Sequence, residues 1–220
     1  MKNLLTLLFI LTASVSFAEP TKPHEQWWTQ NENLFETFDG WLGTCNAKSR
    51  MLAREHVKNK EYTQLLDVPC GTCIEYFGYV QDDIKIDYTG LDITKYLVNR
   101  AKSMGINAVE GSIENLPFED SSFELVYIRH LLEHLDDYKL ALSEAIRVAQ
   151  KEVLVVFFIH PSLTNPDNIS PAIINNALLY HNRYNRANLS SYVYEHAKVN
   201  RIEWENVDEK EIIMHVYLND

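Results

Sequence analysis

Apolar and amphipathic stretches alternate through the middle of the chain. Five apolar runs predict strands, at 64–68, 88–93, 107–110, 123–128 and 153–159. The last of these is continuously apolar, as expected of a strand buried on both faces. Amphipathic patterns between the runs predict helices at 72–80, 95–104 and 138–150. Strands that alternate with helices in this way predict a doubly wound, mostly parallel sheet.

The two ends of the chain depart from this alternation. Apolar runs at 199–205 and 212–218, joined by a polar turn at 206–210, predict an antiparallel C-terminal hairpin and bring the sheet to seven strands. Residues 161–198 carry several prolines and a polar-aromatic run, and we interpret them as an insertion of loop and helices over the carboxyl edge of the sheet. Residues 19–60 predict a helical N-terminal cap with an aromatic-rich face, followed by the main domain at 61–220.

The first 18 residues have the pattern of an export signal. Lys2 precedes an almost wholly apolar stretch at 4–13, and Ser16-Phe17-Ala18 offers small residues where a signal peptidase cleaves. The stretch is short for a membrane span. We therefore expect an exported or membrane-anchored protein, with an uncleaved anchor, a buried helix or a cytoplasmic location as alternatives.

The composition of the chain limits the kinds of partner that the protein can bind. The 220 residues carry a net charge of -11 and show no cluster of Lys and Arg, which argues against a nucleic-acid partner. Hydrophobic residues make up 46% of the chain, enough for one domain with a substantial core. Three cysteines are an odd number and imply no complete disulfide framework.

Candidate chemistry lies at the ends of the first two predicted strands. Asp67 ends the first strand, and the turn Pro69-Cys70-Gly71-Thr72 leads into a helix. A strand, a tight turn and a helix aim free backbone N–H groups at a ligand, and glycine suits such a turn because it adopts positive φ. Asp92 ends the second strand, 25 residues later, where an acid can hold two ribose hydroxyls.

This ordered series resembles the class I S-adenosylmethionine-dependent methyltransferases over residues 62–159. The most specific part is ENLPFEDSSFELV, at 114–126, followed by HLLEHL, at 130–135. The resemblance implies a Rossmann-like fold, S-adenosylmethionine as cofactor and methyl transfer to an acceptor. Acidity, short length and a single insertion favour a small-molecule acceptor.

The resemblance also implies a set of cofactor-binding residues. Asp67 would lie near the amino acid end of the cofactor, and Asp92 would hold the ribose. Arg50 is a candidate partner for the cofactor carboxylate. The remaining candidates are the turn residues Cys70, Gly71 and Thr72, the adenine neighbours Ile93, Gly111, Ser112 and Ile113, and Ile128 and Arg129 beside the methionine portion.

Three positions depart from the family pattern, two of them within its motif of an acid followed by three spaced glycines. Pro69 replaces the first glycine and Cys73 the third, and Ser112 stands where an acid often binds the adenine amine. Serine still accepts a hydrogen bond, but without charge. These departures motivate an alternative in which the fold is kept as a weak or inactive module that binds S-adenosylmethionine or a partner.

Two further motifs suggest other chemistry. Cys70 and Cys73 form a C-x-x-C, which in an exported protein is typical of a dithiol oxidoreductase. His130, Glu133 and His134 match H-x-x-E-H, in which two histidines on one helix face can hold zinc. The first motif remains an alternative function, whereas we predict no metal. We assign no catalytic base, because no spacing selects one among His130, His181, Tyr180 and Tyr184.

Overall fold

A seven-stranded mixed sheet organises the computed structural model, which describes residues 22–30 and 44–219. The strands are β1 Gln64–Asp67, β2 Asp87–Asp92, β3 Ala108–Glu110, β4 Phe123–Arg129, β5 Ala149–Phe157, β6 Pro171–Ile174, β7 Ala177–Tyr180, β8 Val199–Asn206 and β9 Ile212–Leu218. The α-helices are α1 Gln26–Gln30, α2 Lys48–Lys60, α3 Ile74–Gln81, α4 Lys95–Ser103, α5 Lys139–Val148 and α6 Arg186–Tyr194, with 3-10 turns at Pro23–Glu25 and Leu132–His134.

The strand order confirms the predicted fold class. The large sheet runs β3-β2-β1-β4-β5-β9-β8, and its first five strands are parallel. β9 pairs antiparallel with β5 and with β8, as the C-terminal hairpin pattern predicts. Chain order reverses direction between β1 and β4, so the carboxyl ends of these strands flank a topological switch point, where open sheets of this kind bind ligands.

Helices cover both faces of the sheet and make two apolar layers. On one face, α2, α3 and α4 contribute side chains such as Val57, Tyr79 and Val98. On the other face, α5 and α6 contribute side chains such as Leu142 and Leu189. β5 supplies both layers, with Val153, Val155 and Phe157 on the α5 face and Leu154 and Val156 on the α2 face. Burial on both sides explains the continuous apolar run in its sequence.

The structure corrects two predicted elements. The helix predicted at 138–150 ends at Val148, and β5 begins at Ala149 rather than at residue 153. The insertion at 161–198 contains a β-hairpin, β6 and β7, as well as α6. Asn175 and Asn176 form its turn with φ of 51° and 61°, and two residues at positive φ are typical of a two-residue hairpin turn. That Asn-Asn pair was the available signal.

The insertion packs against the N-terminal segment. Leu179 of β7 and Leu97 of α4 form a small apolar cluster with Trp27, and Trp28 packs on its edge. The predicted signal at 1–18 and the cap residues 31–43, which include Leu34, Phe35, Phe38, Trp41 and Leu42, lie outside the described residues. Within 22–30 and 44–219, no helix has the length and apolar character needed to cross a membrane.

Candidate functional site

The carboxyl ends of β1 and β2 lie side by side and are joined by the turn after β1. Cys70 N–H donates to Leu91 O at 2.8 Å, and Gly71 N–H donates to Asp92 Oδ2 at 2.8 Å. Thr94 N–H donates to the other Asp92 oxygen at 2.9 Å. Burial raises the pKa of Asp92, and these backbone donors oppose that shift. The Asp92 carboxylate is therefore held rigidly at the switch-point edge.

A cleft of about 820 Å³, part of it open to solvent, lies above these strand ends. The lining residues are Trp28, Arg50, Asp67, Pro69, Cys70, Gly71, Thr72, Ile74, Asp92, Ile93, Thr94, Leu97, Arg129, His130 and Leu131.

A second cavity of about 370 Å³ adjoins the cleft, and Trp28, Pro69, Asp92, Ile93 and Leu131 line both. Its other lining residues are His24, Glu25, Val68, Leu91, Gly111, Ser112, Ile113 and Leu135. The two cavities together bring every predicted cofactor-binding residue to one place except Ile128. That side chain is fully buried in the core on the α5 face and lines neither cavity.

The turn after β1 shows why glycine is favoured there and how the departures are tolerated. Gly71 has φ 53° and Cys73 has φ 58°, so two of its residues adopt the left-handed conformation. A non-glycine residue in that conformation costs about 1 kcal/mol. The Cys73 side chain is fully buried in the apolar layer beneath α2–α4, and this packing offsets that cost.

Gly90 gives the turn its close approach to β2. A Cβ at position 90 would lie 2.8 Å from Cys70 Sγ and 2.9 Å from Cys70 Cβ. We expect Gly90→Ala to displace the Cys70 turn, to lower the free energy of unfolding by about 1–3 kcal/mol, and to weaken ligand binding in the cleft. Denaturant unfolding measures the first effect and calorimetry the second. The double variant Gly90→Ala, Cys70→Gly removes both contacted atoms and should recover part of the loss; no recovery would contradict the assignment of the clash.

A buried ionic network supports the floor of the cleft. Arg50 of α2 forms an ion pair with Glu75 of α3, and Tyr127 Oη donates to Glu75 Oε1 at 3.0 Å. Both charged residues are more than nine-tenths buried. Asp67 lies close by and accepts from Tyr88 Oη at 2.6 Å. Burial, with Glu75 nearby, raises the pKa of Asp67 well above its usual value. Arg50 thus lines the cleft, as expected of a partner for the cofactor carboxylate, but its guanidinium already forms an ion pair with Glu75.

The end of β4 forms the opposite wall. Arg129 Nη2 lies 2.5 Å and His130 Nε2 lies 2.6 Å from Glu211 Oε1. His130 has φ 54° and donates its N–H to Val156 O, which aligns its backbone with β5. Burial lowers the pKa of His130 to about 4 despite its bond to Glu211. The imidazole facing the cleft is therefore neutral at pH 7.

The H-x-x-E-H residues are held by three separate contacts rather than directed at one point. Leu132–His134 is a single 3-10 turn, so His130 and His134 do not share the face of an α-helix. His130 binds Glu211, and His134 Nδ1 lies 2.8 Å from Tyr180 O. Glu133 accepts from Phe158 N–H at 2.7 Å. Each of these three side chains therefore binds residues 130–134 to a neighbouring part of the fold.

The two cysteines of the C-x-x-C are buried free thiols. Cys70 is 7% exposed and Cys73 is fully buried. The pKa of Cys70 is raised well above that of a free thiol by the hydrogen bond between Cys70 and Cys73, together with burial. Thiol–disulfide exchange requires an accessible thiolate. The environment of Cys70 therefore argues against the dithiol alternative.

The residues that sequence reasoning missed come from the N-terminal segment. Glu25 Oε1 accepts from Ser112 Oγ at 2.7 Å, and Glu25 Oε2 accepts from Lys22 N–H at 2.9 Å. His24 Nε2 lies 2.8 Å from Glu114 Oε2 and anchors the same segment to the loop after β3. Glu25 therefore adds a carboxylate to the wall of the second cavity beside Ser112. No local pattern signals this contact, because 87 residues separate its partners.

Comparisons with known proteins agree with this geometry. Residues 66–157 match the methyltransferase domain family. The demethylmenaquinone methyltransferase of Staphylococcus epidermidis is 29% identical over 150 residues, covering 63% of this chain and 62% of that protein. The enzyme of the same name from Bacillus pumilus is 37% identical over 139 residues, covering 57% and 58%. The chain thus spans about 60% of the length of these relatives.

The fold extends further than the sequence similarity. A crystal structure of the Burkholderia thailandensis 1,6-didemethyltoxoflavin-N1-methyltransferase, with bound 1,6-didemethyltoxoflavin and S-adenosylhomocysteine, superposes with a TM-score of 0.65. The match covers 93% of each chain at 15% sequence identity, so it bears on the fold alone. Residues 66–157 therefore resemble a methyltransferase domain, and the chain has the Rossmann-like fold that its sequence predicts.

Proposed function

We propose that this protein transfers a methyl group from S-adenosylmethionine to a small-molecule acceptor. The observation that carries the proposal is the Asp92 carboxylate, held by Gly71 and Thr94 N–H groups in the cleft at the switch point. An acid at this strand end suits the two hydroxyls of a ribose. The matched domain family and the relatives named above support the same activity.

The residues of the cleft fit the rest of this cofactor. Two polar atoms of lining residues, Thr72 Oγ1 and Arg129 Nε, are buried without a hydrogen-bond partner among the described residues. Buried polar groups of this kind are normally satisfied, so a ligand with carboxylate and ammonium groups would complete them. Apolar side chains in the second cavity, among them Leu91, Ile93 and Ile113, suit a flat base.

Bound S-adenosylmethionine would supply the activated methyl group on its sulfonium, and the protein would align the acceptor with it. A positive sulfonium is repelled by a protonated imidazole, so the neutral state of His130 favours cofactor binding. Trp28 lines both cavities, and its ring lies 5.2 Å from that of His134. An aromatic ring in the wall favours a planar acceptor.

Glu25 would accept a hydrogen bond from the adenine amine, in the role that an acid at position 112 would have. We expect Glu25→Gln to weaken S-adenosylhomocysteine binding about 10-fold, because a charge-assisted hydrogen bond contributes about 1.5 kcal/mol or more. Binding of S-inosylhomocysteine, which lacks the amine, should change much less. Calorimetry with both ligands measures the difference, and Glu119→Gln on the exposed loop is the control. Equal losses for the two ligands would contradict the role of Glu25.

Methyl release separates turnover from binding alone. The full chain is incubated with S-adenosylmethionine and a panel of small planar acceptors, including quinols and nitrogen heterocycles, and S-adenosylhomocysteine formation is followed. The proposal predicts acceptor-dependent formation that Asp92→Asn abolishes. Binding of S-adenosylhomocysteine with no turnover on any acceptor would instead favour the alternative of an inactive binding module.

A further inference from the structure

A second cluster of ionisable side chains lies outside the cleft, between α2 and the sheet. His56 Nε2 lies 2.8 Å from Glu152 Oε2, and His215 Nδ1 lies 2.8 Å from Glu152 Oε1. The two imidazole rings are 4.7 Å apart. One nitrogen from each histidine and one carboxylate oxygen lie within 4.8 Å of one another. From these positions, we propose that His56, Glu152 and His215 bind a divalent transition metal ion, with Zn²⁺ the best match.

The charge balance of the cluster favours a cation. Glu152 is fully buried, and the ion pairs it forms within the described residues are to the two imidazoles. A buried carboxylate requires a counter-charge, from a proton on an imidazole or from a metal. The Glu152 carboxylate lies between the two imidazoles, where a cation bound by all three side chains would balance its charge.

The ligand set and its surroundings match a zinc site. Zn²⁺ binds imidazole nitrogen and carboxylate oxygen at about 2.0–2.2 Å in a tetrahedron, which places neighbouring ligand atoms about 3.3 Å apart. The three candidate ligand atoms lie within 4.8 Å of one another, so shifts of about an ångström or more would bring them to that spacing. His56 has 17% of its side chain exposed, so solvent reaches the cluster from that side and water can supply the fourth ligand.

Neighbouring groups already orient the ligands as outer partners do in metal sites. His215 Nε2 lies 3.3 Å from Glu205 Oε2, which leaves Nδ1 directed at the metal position. Tyr62 Oη donates to Glu152 Oε2 at 2.8 Å. A carboxylate that holds the second nitrogen of a ligating histidine sets its tautomer and strengthens metal binding about 10- to 100-fold.

The site would join α2 to β5 and β9. His56 lies six residues after Arg50 on α2, and Arg50 reaches the wall of the cleft. A metal that binds the folded state but not the unfolded state also raises the stability of the protein by mass action. The proposed role is therefore structural, and it is independent of the methyl transfer proposed above.

Cobalt binding tests the site without reference to methyl transfer. Tag-free, metal-stripped full-length protein is titrated with Co²⁺, and the visible absorption of tetrahedral Co²⁺ is followed, with Zn²⁺ added afterwards as competitor. The proposal predicts one equivalent of Co²⁺, displaced by Zn²⁺, and a melting temperature that rises with Zn²⁺. His56→Gln should lose the band, whereas His196→Gln, a histidine on the α5–α6 side, should keep it.

A second variant guards against misfolding of His56→Gln. The Glu205 side chain is 44% exposed, so Glu205→Gln is expected to fold. It should bind Co²⁺ about 10-fold more weakly than the unchanged protein. Absence of the band in the unchanged protein, or affinities for both variants equal to that of His196→Gln, would overturn the proposal.

Discussion

Replacing Asp92 with Asn is expected to weaken S-adenosylhomocysteine binding by about 100-fold or more. The carboxylate accepts from Gly71 and Thr94 N–H groups and would also accept from the ribose hydroxyls. Asparagine has one acceptor oxygen, so its amide N–H₂ would face a backbone donor. The change removes two charge-assisted hydrogen bonds to the ligand, each contributing about 1.5–3 kcal/mol.

The control for this variant lies on the same strand. Asp87 is exposed at the opposite end of β2, so Asp87→Asn makes the same chemical change away from the cleft. Calorimetry should give it the affinity of the unchanged protein. Because the Asp92 environment is buried, thermal unfolding of both variants is measured alongside. A folded Asp92→Asn protein with full affinity would contradict the proposed ribose contact.

Glu75→Gln is expected to cause the largest loss of stability, about 3–5 kcal/mol. The substitution removes the Glu75 carboxylate from its ion pair with the Arg50 guanidinium, which is 6% exposed, and breaking a buried pair has a cost of that order. Tyr127 Oη also donates to Glu75, so the network that supports the cleft floor loses its centre. Chemical denaturation at constant pH measures the change.

Two comparisons distinguish a buried pair from a surface one. Asp83 and Lys85 form an exposed ion pair, and Asp83→Asn should leave the unfolding midpoint unchanged. The double variant Arg50→Met, Glu75→Leu removes both charges and should recover much of the loss, since apolar replacements of buried pairs are often neutral. A Glu75→Gln protein as stable as Asp83→Asn would show that the network contributes little.

The central strands were predictable because burial leaves a direct mark on sequence. β5 packs against helices on both faces, and its residues 153–157 are apolar without alternation. The hairpin of β6 and β7 leaves no such mark, because every residue of β6 is exposed. Its turn was encoded locally by Asn175 and Asn176, whose positive φ depends on chemistry rather than on hydrophobicity.

The site was predictable only where its residues follow strand ends. Asp67 and Asp92 come together because parallel neighbouring strands finish at one edge of the sheet. Glu25 reaches Ser112 through tertiary packing of the N-terminal segment, which no spacing along the chain reveals. Ile128 is the opposite case. It lies near the carboxyl end of β4, as predicted, but its side chain packs in the core. The sequence therefore predicts which edge of the sheet carries the site, whereas tertiary packing determines which side chains face the ligand.

A crystal structure of the full chain with S-adenosylhomocysteine would show whether the cleft at the ends of β1 and β2 is the cofactor site. We expect both ribose hydroxyls on the Asp92 carboxylate, the adenine in the cavity bounded by Ile93, Ile113 and Glu25, and the amino acid end toward Thr72 and Arg129. A ligand bound away from the ends of β1 and β2, or a cleft that stays empty at saturating ligand, would contradict this expectation.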